Sequence, residues 1–247
     1  MPFLSRGAPA APIQRLGDAN IAPVAMLLAD PARAAMLWAV SDGRALPAGE
    51  LSRIGHVTPS AGSAHLSKLV TGGLLAVERH GRHRYYRLVN PAVVRVLEAM
   101  ATVAQPTLAG SLKEAHAASA IRLARTCYDH LAGFLGVCLT GALVEQSALV
   151  LNGREYIVTD TGLARFATLG INVDRVRETA RRTHRPLTRA CLDWSERRYH
   201  LAGALGAALV TSLLELSWVE RTPASRALRI TNEGRRAFRR EFEVQLL

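Results

Sequence analysis

Two stretches of the sequence carry side chains that could hold a ligand or react. Both contain the pattern Cys-x-Asp, and a histidine follows each one. Thiolate and imidazole are ligands of soft metal ions, and neighbouring thiols can form a redox pair. Because residues three apart share a helical face, we expect Cys127 and His130 side by side on a helix. The candidate effector-binding residues are Cys127, Asp129, His130, Cys191, Asp193, Trp194 and His200.

Several interpretations of these residues stay open. Cys127, His130 and Cys191 could bind a metal ion, or the two thiols could respond to oxidants. Free cysteine is more often a small buried apolar side chain, so structural roles or contacts to an organic ligand are the commoner outcome. A cysteine-dependent enzyme is a further alternative, but the chain has no HExxH, GxSxG or phosphate-loop motif. We therefore predict no enzyme, no catalytic residue and no cofactor required for the fold.

A second set of polar residues could contact nucleic acid. Between Arg44 and Arg95 the chain has eight Lys and Arg against two Asp and Glu, a net +6 of the total +11. Hydroxyl, imidazole and ammonium groups on a helix can meet base edges, and arginines at a hairpin tip can reach phosphates or the minor groove. Double-stranded operator DNA is the expected partner. The predicted contact residues are Ser60, Ser63, His65, Ser67, Lys68, Arg79, Arg82, His83 and Arg84.

Length and composition set the outer limits. A chain of 247 residues with 49% hydrophobic residues can bury a full core in one or two domains. Three cysteines without paired spacing are typical of a reducing compartment. The longest uncharged apolar run, residues 201–214, is shorter than the roughly 18 residues of a membrane-spanning helix. We expect a soluble, cytoplasmic protein without a membrane partner.

Capping and turn residues divide the first hundred positions into short elements. Asp30-Pro31 and Thr58-Pro59 each place a capping side chain before a proline, which predicts two helix starts. The helix from Pro59 and the short helix before it, Pro47–Ile54, form a helix-turn-helix. Residues 74–88 predict a hairpin, and residues 91–104 predict a further helix. Residues 1–18 are expected to form a flexible arm.

The remainder of the chain repeats itself. Residues 130–136 recur at 200–206, 70 positions later, so we predict two copies at about 121–170 and 190–242. Each copy is predicted as helix, hairpin, helix, the order also expected at 59–104. Leu88, Val158 and Ile230 are the corresponding strand ends. Four glycines interrupt the apolar helices of the copies. Because glycine inside a helix is less stable than alanine, their presence needs a reason, which would be close packing between the copies or room for a ligand. They are Gly133, Gly136, Gly203 and Gly206.

These elements predict a mainly α fold with short β-hairpins (α+β). A winged helix-turn-helix domain for DNA binding and dimerisation occupies 19–105. A duplicated helix–hairpin–helix domain occupies 106–247, where an effector would bind.

Residues 19–104 resemble the winged helix-turn-helix module of the ArsR-type (arsenical-repressor-like) transcriptional regulators. The segments that carry the resemblance are LADPAR at 28–33, EL at 50–51, SAGSAHLSKL at 60–69, GLL at 73–75 and GRHRYYRL at 81–88. The resemblance implies a homodimer on a near-palindromic operator, usually a repressor until a small-molecule or metal effector arrives. It also implies that helices at 22–28 and 91–104 pair the subunits.

The sequence departs from this family at its metal sites. Metal-sensing members carry cysteines in the helix before the recognition helix, or His, Asp or Glu ligands in the helix after the wing. Here Pro47–Ile54 has no cysteine, and 91–104 offers only Glu98. Neither usual metal site is present, so a cysteine-based redox or metal sensor would have to use the second half.

Overall fold

A computed structural model describes residues 19–81, 83–105, 110–223 and 225–246. The predicted flexible arm, residues 1–18, lies outside the described residues, as do Arg82 in the predicted wing and residues 106–109 at the predicted domain boundary. The described part contains helices and small antiparallel sheets. None of its helices is long and apolar enough to cross a membrane.

The first half folds as the predicted winged helix-turn-helix. Its elements are α1 (Ala22–Leu28), α2 (Pro31–Ala39), β1 (Leu46–Pro47), α3 (Ala48–Ile54), α4 (Pro59–Thr71), β2 (Leu75–His80), β3 (His83–Leu88) and α5 (Ala92–Val103). The side chains of Asp30 and Thr58 cap α2 and α4 by accepting hydrogen bonds from backbone N–H groups, as predicted. The short strand β1 was not predicted, and it completes a sheet of order β1-β3-β2.

Helices α3 and α4 approach each other unusually closely at Gly62. A Cβ added at Gly62 would lie 2.0 Å from the Ser52 Oγ on α3, so only glycine fits there. Leu51, Leu66 and Leu69 are fully buried behind this contact. The apolar face of α4 is therefore held against the core, and its polar face is directed outward.

The second half consists of short hairpins and helices in alternation. Its elements are α6 (Leu112–Leu123), β4 (Arg125–Cys127), β5 (His130–Ala132), α7 (Gly133–Glu145), β6 (Leu149–Asn152), β7 (Glu155–Val158), α8 (Asp160–Thr168), α9 (Val173–Arg182), β8 (Arg189–Leu192), β9 (Tyr199–Ala202), α10 (Gly203–Glu215), β10 (Val219–Arg221), β11 (Leu228–Ile230) and α11 (Asn232–Phe242). The order hairpin, helix, hairpin, helix occurs from β4 to α8 and again from β8 to α11. Strands β3, β7 and β11 end at the three positions predicted to correspond.

A β-hairpin precedes each of the apolar helices α7 and α10, at positions for which the sequence predicted helix alone. His130 and His200 lie in strands β5 and β9, so the prediction that Cys127 and His130 share a helical face is wrong. The helices begin at Gly133 and Gly203, whose φ angles of +79° and +86° favour glycine. A run such as His-Leu-Ala is too short for apolar periodicity to distinguish strand from helix.

The glycines of the apolar helices serve mainly the contact between each helix and the strand before it. A Cβ added at Gly136 or Gly206 would lie 2.7 or 2.5 Å from the carbonyl oxygen of Leu131 or Leu201, respectively. Gly206 also faces the other copy, since its added Cβ would lie 3.2 Å from that of His130. Packing between the copies, the reason expected from the sequence, therefore applies to Gly206.

The two segments of the second half with this order, β4 to α8 and β8 to α11, pack reciprocally. Helix α10 packs on β5 of the first copy, and α7 packs on β9 of the second. Thr140 on α7 links the copies, because its Oγ1 donates to the Gly136 carbonyl (2.8 Å) and accepts from the Leu201 N–H (2.9 Å). Cys127 and Ala132 lie in the core of the first half, next to residues such as Leu97. The hairpin β4–β5 thus joins the two halves of the molecule.

Candidate functional site: a cysteine–histidine cluster and an exposed basic surface

The hairpins β4–β5 and β8–β9 bring together two cysteines and two histidines. In the first hairpin Cys127 is the cross-strand partner of His130, and in the second Cys191 is the partner of His200. Because β5 lies against β9, the two pairs meet. The thiol sulfurs and one ring nitrogen of each histidine all lie within 4.8 Å of one another. These four residues are called the cysteine–histidine cluster below.

Each histidine of the cluster lies beside an aspartate. The His130 Nδ1 is 3.4 Å from Asp129 Oδ1, and the His200 Nδ1 is 3.4 Å from Asp193 Oδ2. The first contact is a hydrogen bond, whereas the second has the distance of an ion pair without hydrogen-bond geometry. The Nε2 atoms of both rings are buried and have no hydrogen-bond partner among the described residues. Burying such groups unpaired is costly, so they indicate a missing partner.

Because the thiols of Cys127 and Cys191 lie close together, their pKa values shift in opposite directions. Proximity to Cys191, then burial, raises the pKa of Cys127 well above its ordinary value. Proximity to Cys127 and to the rings of His130 and His200 holds the pKa of Cys191 well below its ordinary value, although burial opposes this. Burial lowers the pKa of His130, but Asp129 and Cys191 outweigh it and raise that pKa to about 9.

Salt bridges and a backbone hydrogen bond fix the two aspartates. Asp129 forms a salt bridge of 2.6 Å with Arg185. Asp193 accepts from the Nη2 of Arg125 (2.9 Å) and from the backbone N–H of Gly133 (2.7 Å). Burial would raise the pKa of Asp193, but the Arg125 guanidinium and the other partners hold it far below the usual range. Both carboxylates are therefore oriented and ionised.

Arg125 is fully buried and extends the site towards the first half. Besides Asp193, it lies 3.8 Å from Glu98 on α5, and its Nη1 donates to the Ser195 hydroxyl (3.2 Å). Its guanidinium carbon is 4.8 Å from the centre of the Trp194 ring, within cation–π range. Trp194 was predicted to bind an effector, and the structure places it against Arg125 instead of among the clustered ligand atoms.

A second, half-buried arginine completes the link to the first half. Arg226 donates to Glu98 (3.0 Å), and its guanidinium carbon is 4.2 Å from the centre of the Trp38 ring on α2. Arg44 donates to the backbone carbonyl of Ser225 (3.1 Å). The cluster is thus connected to α5 through Asp193, Arg125 and Glu98, with Arg226 on the other side of the same carboxylate.

The predicted recognition helix presents most of its polar residues to solvent. Four of the five α4 residues predicted to contact DNA are exposed, namely Ser60, Ser63, Ser67 and Lys68. His65 is the exception, because its Nδ1 lies 3.6 Å from Asp30 Oδ1 and 3.5 Å from Arg33 Nη1. Its ring therefore contacts the start of α2.

The wing places like charges opposite each other. Arg79 on β2 is the cross-strand partner of Arg84 on β3, and His80 is the partner of His83. Arg79, His83 and Arg84 are all exposed, and within the described residues neither of these arginines has an acidic partner. Like charges directly opposite each other destabilise a hairpin unless an anion compensates them. The wing is therefore suited to a polyanion.

The sequence did not reveal the residues that connect the cluster to the first half. Glu98 was noted only as a residue that cannot form a usual metal site, and Arg125 and Arg226 were not singled out. Single arginines in an arginine-rich chain carry no signal of burial. The pairing of Cys191 with His200 was also missed, although a glycine shortly after each histidine was a signal of a strand-to-helix junction.

Comparison with known proteins gives a relative over almost the whole chain. The chain is 44% identical over 227 residues to YdfF, an uncharacterized HTH-type transcriptional regulator of Bacillus subtilis, covering 92% of this chain and 99% of the relative. No protein-family model matches the chain.

Solved structures resemble a smaller part of the chain. The cadmium metal-sensor CMTR from Mycobacterium tuberculosis is 33% identical, covering 36% of this chain and 99% of its own, with a TM-score of 0.29. The antimony-specific transcriptional repressor AntR is 26% identical, covering 41% and 94%, with a TM-score of 0.31. The homodimeric winged helix-turn-helix domain of Mb0332 from Mycobacterium bovis is 23% identical, covering 36% and 89%, with a TM-score of 0.31.

The winged helix-turn-helix, its exposed recognition helix and its basic wing define a DNA-binding protein. With the relative that spans 92% of it, the chain belongs to the HTH-type transcriptional regulators. The resemblance stated from the sequence is confirmed as far as an HTH-type transcriptional regulator.

Proposed function

We propose that this regulator acts as a homodimeric repressor whose binding to operator DNA is modulated by an effector held in its second half. The observation that carries the proposal is the position of Cys127. This residue belongs to the effector candidates and at the same time packs in the core of the DNA-reading half. A change at the cluster would therefore displace residues that also support the reading helix.

The division of the chain follows from the same contacts. We propose a reader at 19–105 and an effector domain at 106–247, the latter built from two copies of one module. Reciprocal packing of the copies forms a core in which helices α7 and α10 are central. Such a core leaves the hairpins β4–β5 and β8–β9 at its edge, facing the reader.

Exposed apolar residues support the pairing of two subunits. On α5 the side chains of Val96, Met100 and Val103 are 43%, 47% and 84% exposed, and on α1 Met26 is 67% exposed. The three on α5 are spaced four and three residues apart and so share one face of the helix, and exposed apolar patches of this kind are typical of protein interfaces. These are the helices through which the family resemblance implies dimerisation. A dimer would place two reading helices on a near-palindromic operator.

The path from effector to DNA runs through α5. Glu98 lies on α5 between Arg125 and Arg226, both of which belong to the second half. Since α5 carries the exposed apolar residues as well, a shift of Glu98 would change how two subunits are oriented. The spacing of the two recognition helices, and with it operator affinity, would follow.

A redox response at the same residues is a second candidate. The Sγ atoms of Cys127 and Cys191 are among the clustered atoms, and Cys191 is the more acidic thiol. Its thiolate could reduce a peroxide, and Cys127 could then displace water to form a disulfide. We assign the chain no enzymatic role, because its relative is a transcriptional regulator.

The wing offers the first test of the proposal. We expect Arg79→Ala with Arg84→Ala to weaken binding to a duplex selected from a random pool by at least about tenfold. The slope of log affinity against log salt should become shallower by roughly two, one for each lost phosphate contact. Fluorescence anisotropy with the full chain at several salt concentrations measures both.

Two arginines of α9, one half-buried and one exposed, provide the matched control. Arg177→Ala with Arg182→Ala removes the same charge far from the wing, and both quantities should stay unchanged. Unchanged affinity of the wing variant would contradict the assignment of the wing. Equal affinity of the wild type for the selected duplex and for random DNA would contradict an operator-specific repressor.

A further inference from the structure

We propose that Cys127, His130, Cys191 and His200 bind one thiophilic divalent metal ion of the Zn²⁺ class in a tetrahedral site. The proposal gives the effector of the proposed function a chemical class, and for that regulatory role it rests on the proposed function. The site lies on two hairpins of the second half, away from both positions at which the family resemblance would place a metal.

The distances among the four residues suit such an ion. Their ligand atoms lie within 4.8 Å of one another. A tetrahedral ion with bonds of about 2.0–2.3 Å holds its ligand atoms roughly 3.3–3.8 Å apart. Side-chain movements of about 1 Å would close that difference. Each hairpin supplies one Cys and one His from opposite strands, so the backbone register fixes two ligands at a time.

The unpaired ring nitrogens show what the site lacks. His130 is only 7% exposed and His200 is 0% exposed. The Nε2 atoms of both rings are nevertheless without a hydrogen-bond partner among the described residues. A metal ion is an electron-pair acceptor that would satisfy both. The centres of the two rings lie 5.2 Å apart, with an angle of 32° between the ring planes, so both rings border the same small volume.

The surrounding carboxylates have the arrangement that metal-binding histidines require. Asp129 and Asp193 each approach the Nδ1 side of one imidazole, at 3.4 Å, and leave its Nε2 for the metal. Such a carboxylate orients the ring and increases its basicity. The same Asp, Cys and His occur in both hairpins. A structural explanation for one histidine would not account for this repetition around a single point.

Charge and donor type select the class of ion. Two thiolates neutralise a divalent cation, while the two aspartates are already balanced by Arg185 and Arg125. A set of two sulfurs and two imidazole nitrogens favours tetrahedral ions such as Zn²⁺, Co²⁺ or Cd²⁺ over Mg²⁺ and Ca²⁺, which prefer oxygen.

Co²⁺ is the probe that reports this geometry directly. We expect the reduced, metal-free full chain to bind one Co²⁺ with the intense visible bands of a tetrahedral complex and a thiolate-to-cobalt band in the near ultraviolet. Zn²⁺ should displace Co²⁺ and raise the thermal midpoint of unfolding. Cys191→Ser should lower the intensity of the thiolate band, because Cys127 alone still supplies a thiolate, and should weaken Co²⁺ affinity by about 10–100-fold or more.

Cys138 gives the matched control. It is the remaining free cysteine, it lies on α7 outside the cluster, and Cys138→Ser should leave the spectrum unchanged. The Co²⁺ titration of the wild-type chain tests the site even if a variant fails to fold. Absence of a tetrahedral Co²⁺ spectrum at one equivalent would overturn the proposal, as would an unchanged spectrum in Cys191→Ser.

Operator binding by the same metal-free preparations separates this proposal from the proposed function. Intact operator binding without a Co²⁺ site would overturn the metal site alone. A tetrahedral Co²⁺ site in a chain that binds no specific duplex would support the site and overturn the proposed function.

Discussion

Arg125 combines full burial with a permanent charge, and polar and charged groups from several elements surround it. Its guanidinium bonds to Asp193 and Ser195 and lies near Glu98. Taking one member away from such a group leaves another charge buried without compensation, which typically costs about 3–5 kcal/mol. Arg125 therefore stabilises the contact between the halves and also transmits changes at Asp193 to α5.

We expect Arg125→Met to lower the free energy of unfolding by about 3–5 kcal/mol. Urea unfolding followed by circular dichroism measures the change. Arg182→Met is the control, because Arg182 forms an exposed pair with Glu178 and its loss should cost less than about 1 kcal/mol. If the two variants were equally stable, Arg125 would not be the structural link described above.

Among the elements, the pair α3 and α4 decides how the recognition helix is presented. Gly62 allows α4 to contact Ser52 so closely that an added Cβ has no room. Any larger residue would separate the helices and tilt the polar face of α4. In contrast, Gly49 on α3 is exposed, and nothing lies within 4 Å of a Cβ added there.

This contrast gives a paired prediction. Gly62→Ala should destabilise the chain by about 1–3 kcal/mol through overpacking and weaken operator binding. Gly49→Ala should be neutral or stabilise by up to about 1 kcal/mol, since alanine favours helix. Thermal unfolding of both variants measures the change in stability, and fluorescence anisotropy measures the change in operator affinity. A neutral Gly62→Ala would show that the close α3–α4 contact does not control the module.

The elements also show how far the sequence could be interpreted. Asp30 and Thr58 are local signals, so the starts of α2 and α4 were predictable from capping alone. Hairpin β4–β5 was not, because a three-residue strand has no periodicity that separates it from the start of an apolar helix. The sequence repeat already singled out His200 as an effector-binding candidate, but its proximity to Cys127, His130 and Cys191 required the hairpin register. Packing between distant residues, such as Arg226 and Glu98, has no local signal.

At the scale of the whole molecule, the two halves share buried contacts instead of a simple linker. Cys127 and Ala132 pack in the core of the reader, and Glu98 of the reader binds arginines of the second half. Such interfaces switch between discrete packings. A ligand that binds one packing more tightly than the other can change operator affinity by as much as that difference in binding free energy. A coupling of 1–3 kcal/mol, which is typical, corresponds to a change of roughly 5–150-fold.

The dissociation constant of wild-type protein and operator, with Zn²⁺ and with a chelator, therefore tests the central claim most directly. Anisotropy at fixed salt should show at least about fivefold weaker operator binding in Zn²⁺ than in chelator. Cys138→Ser should reproduce the difference and Cys191→Ser should abolish it. Equal dissociation constants in the two conditions, with one Zn²⁺ bound per chain, would contradict the account.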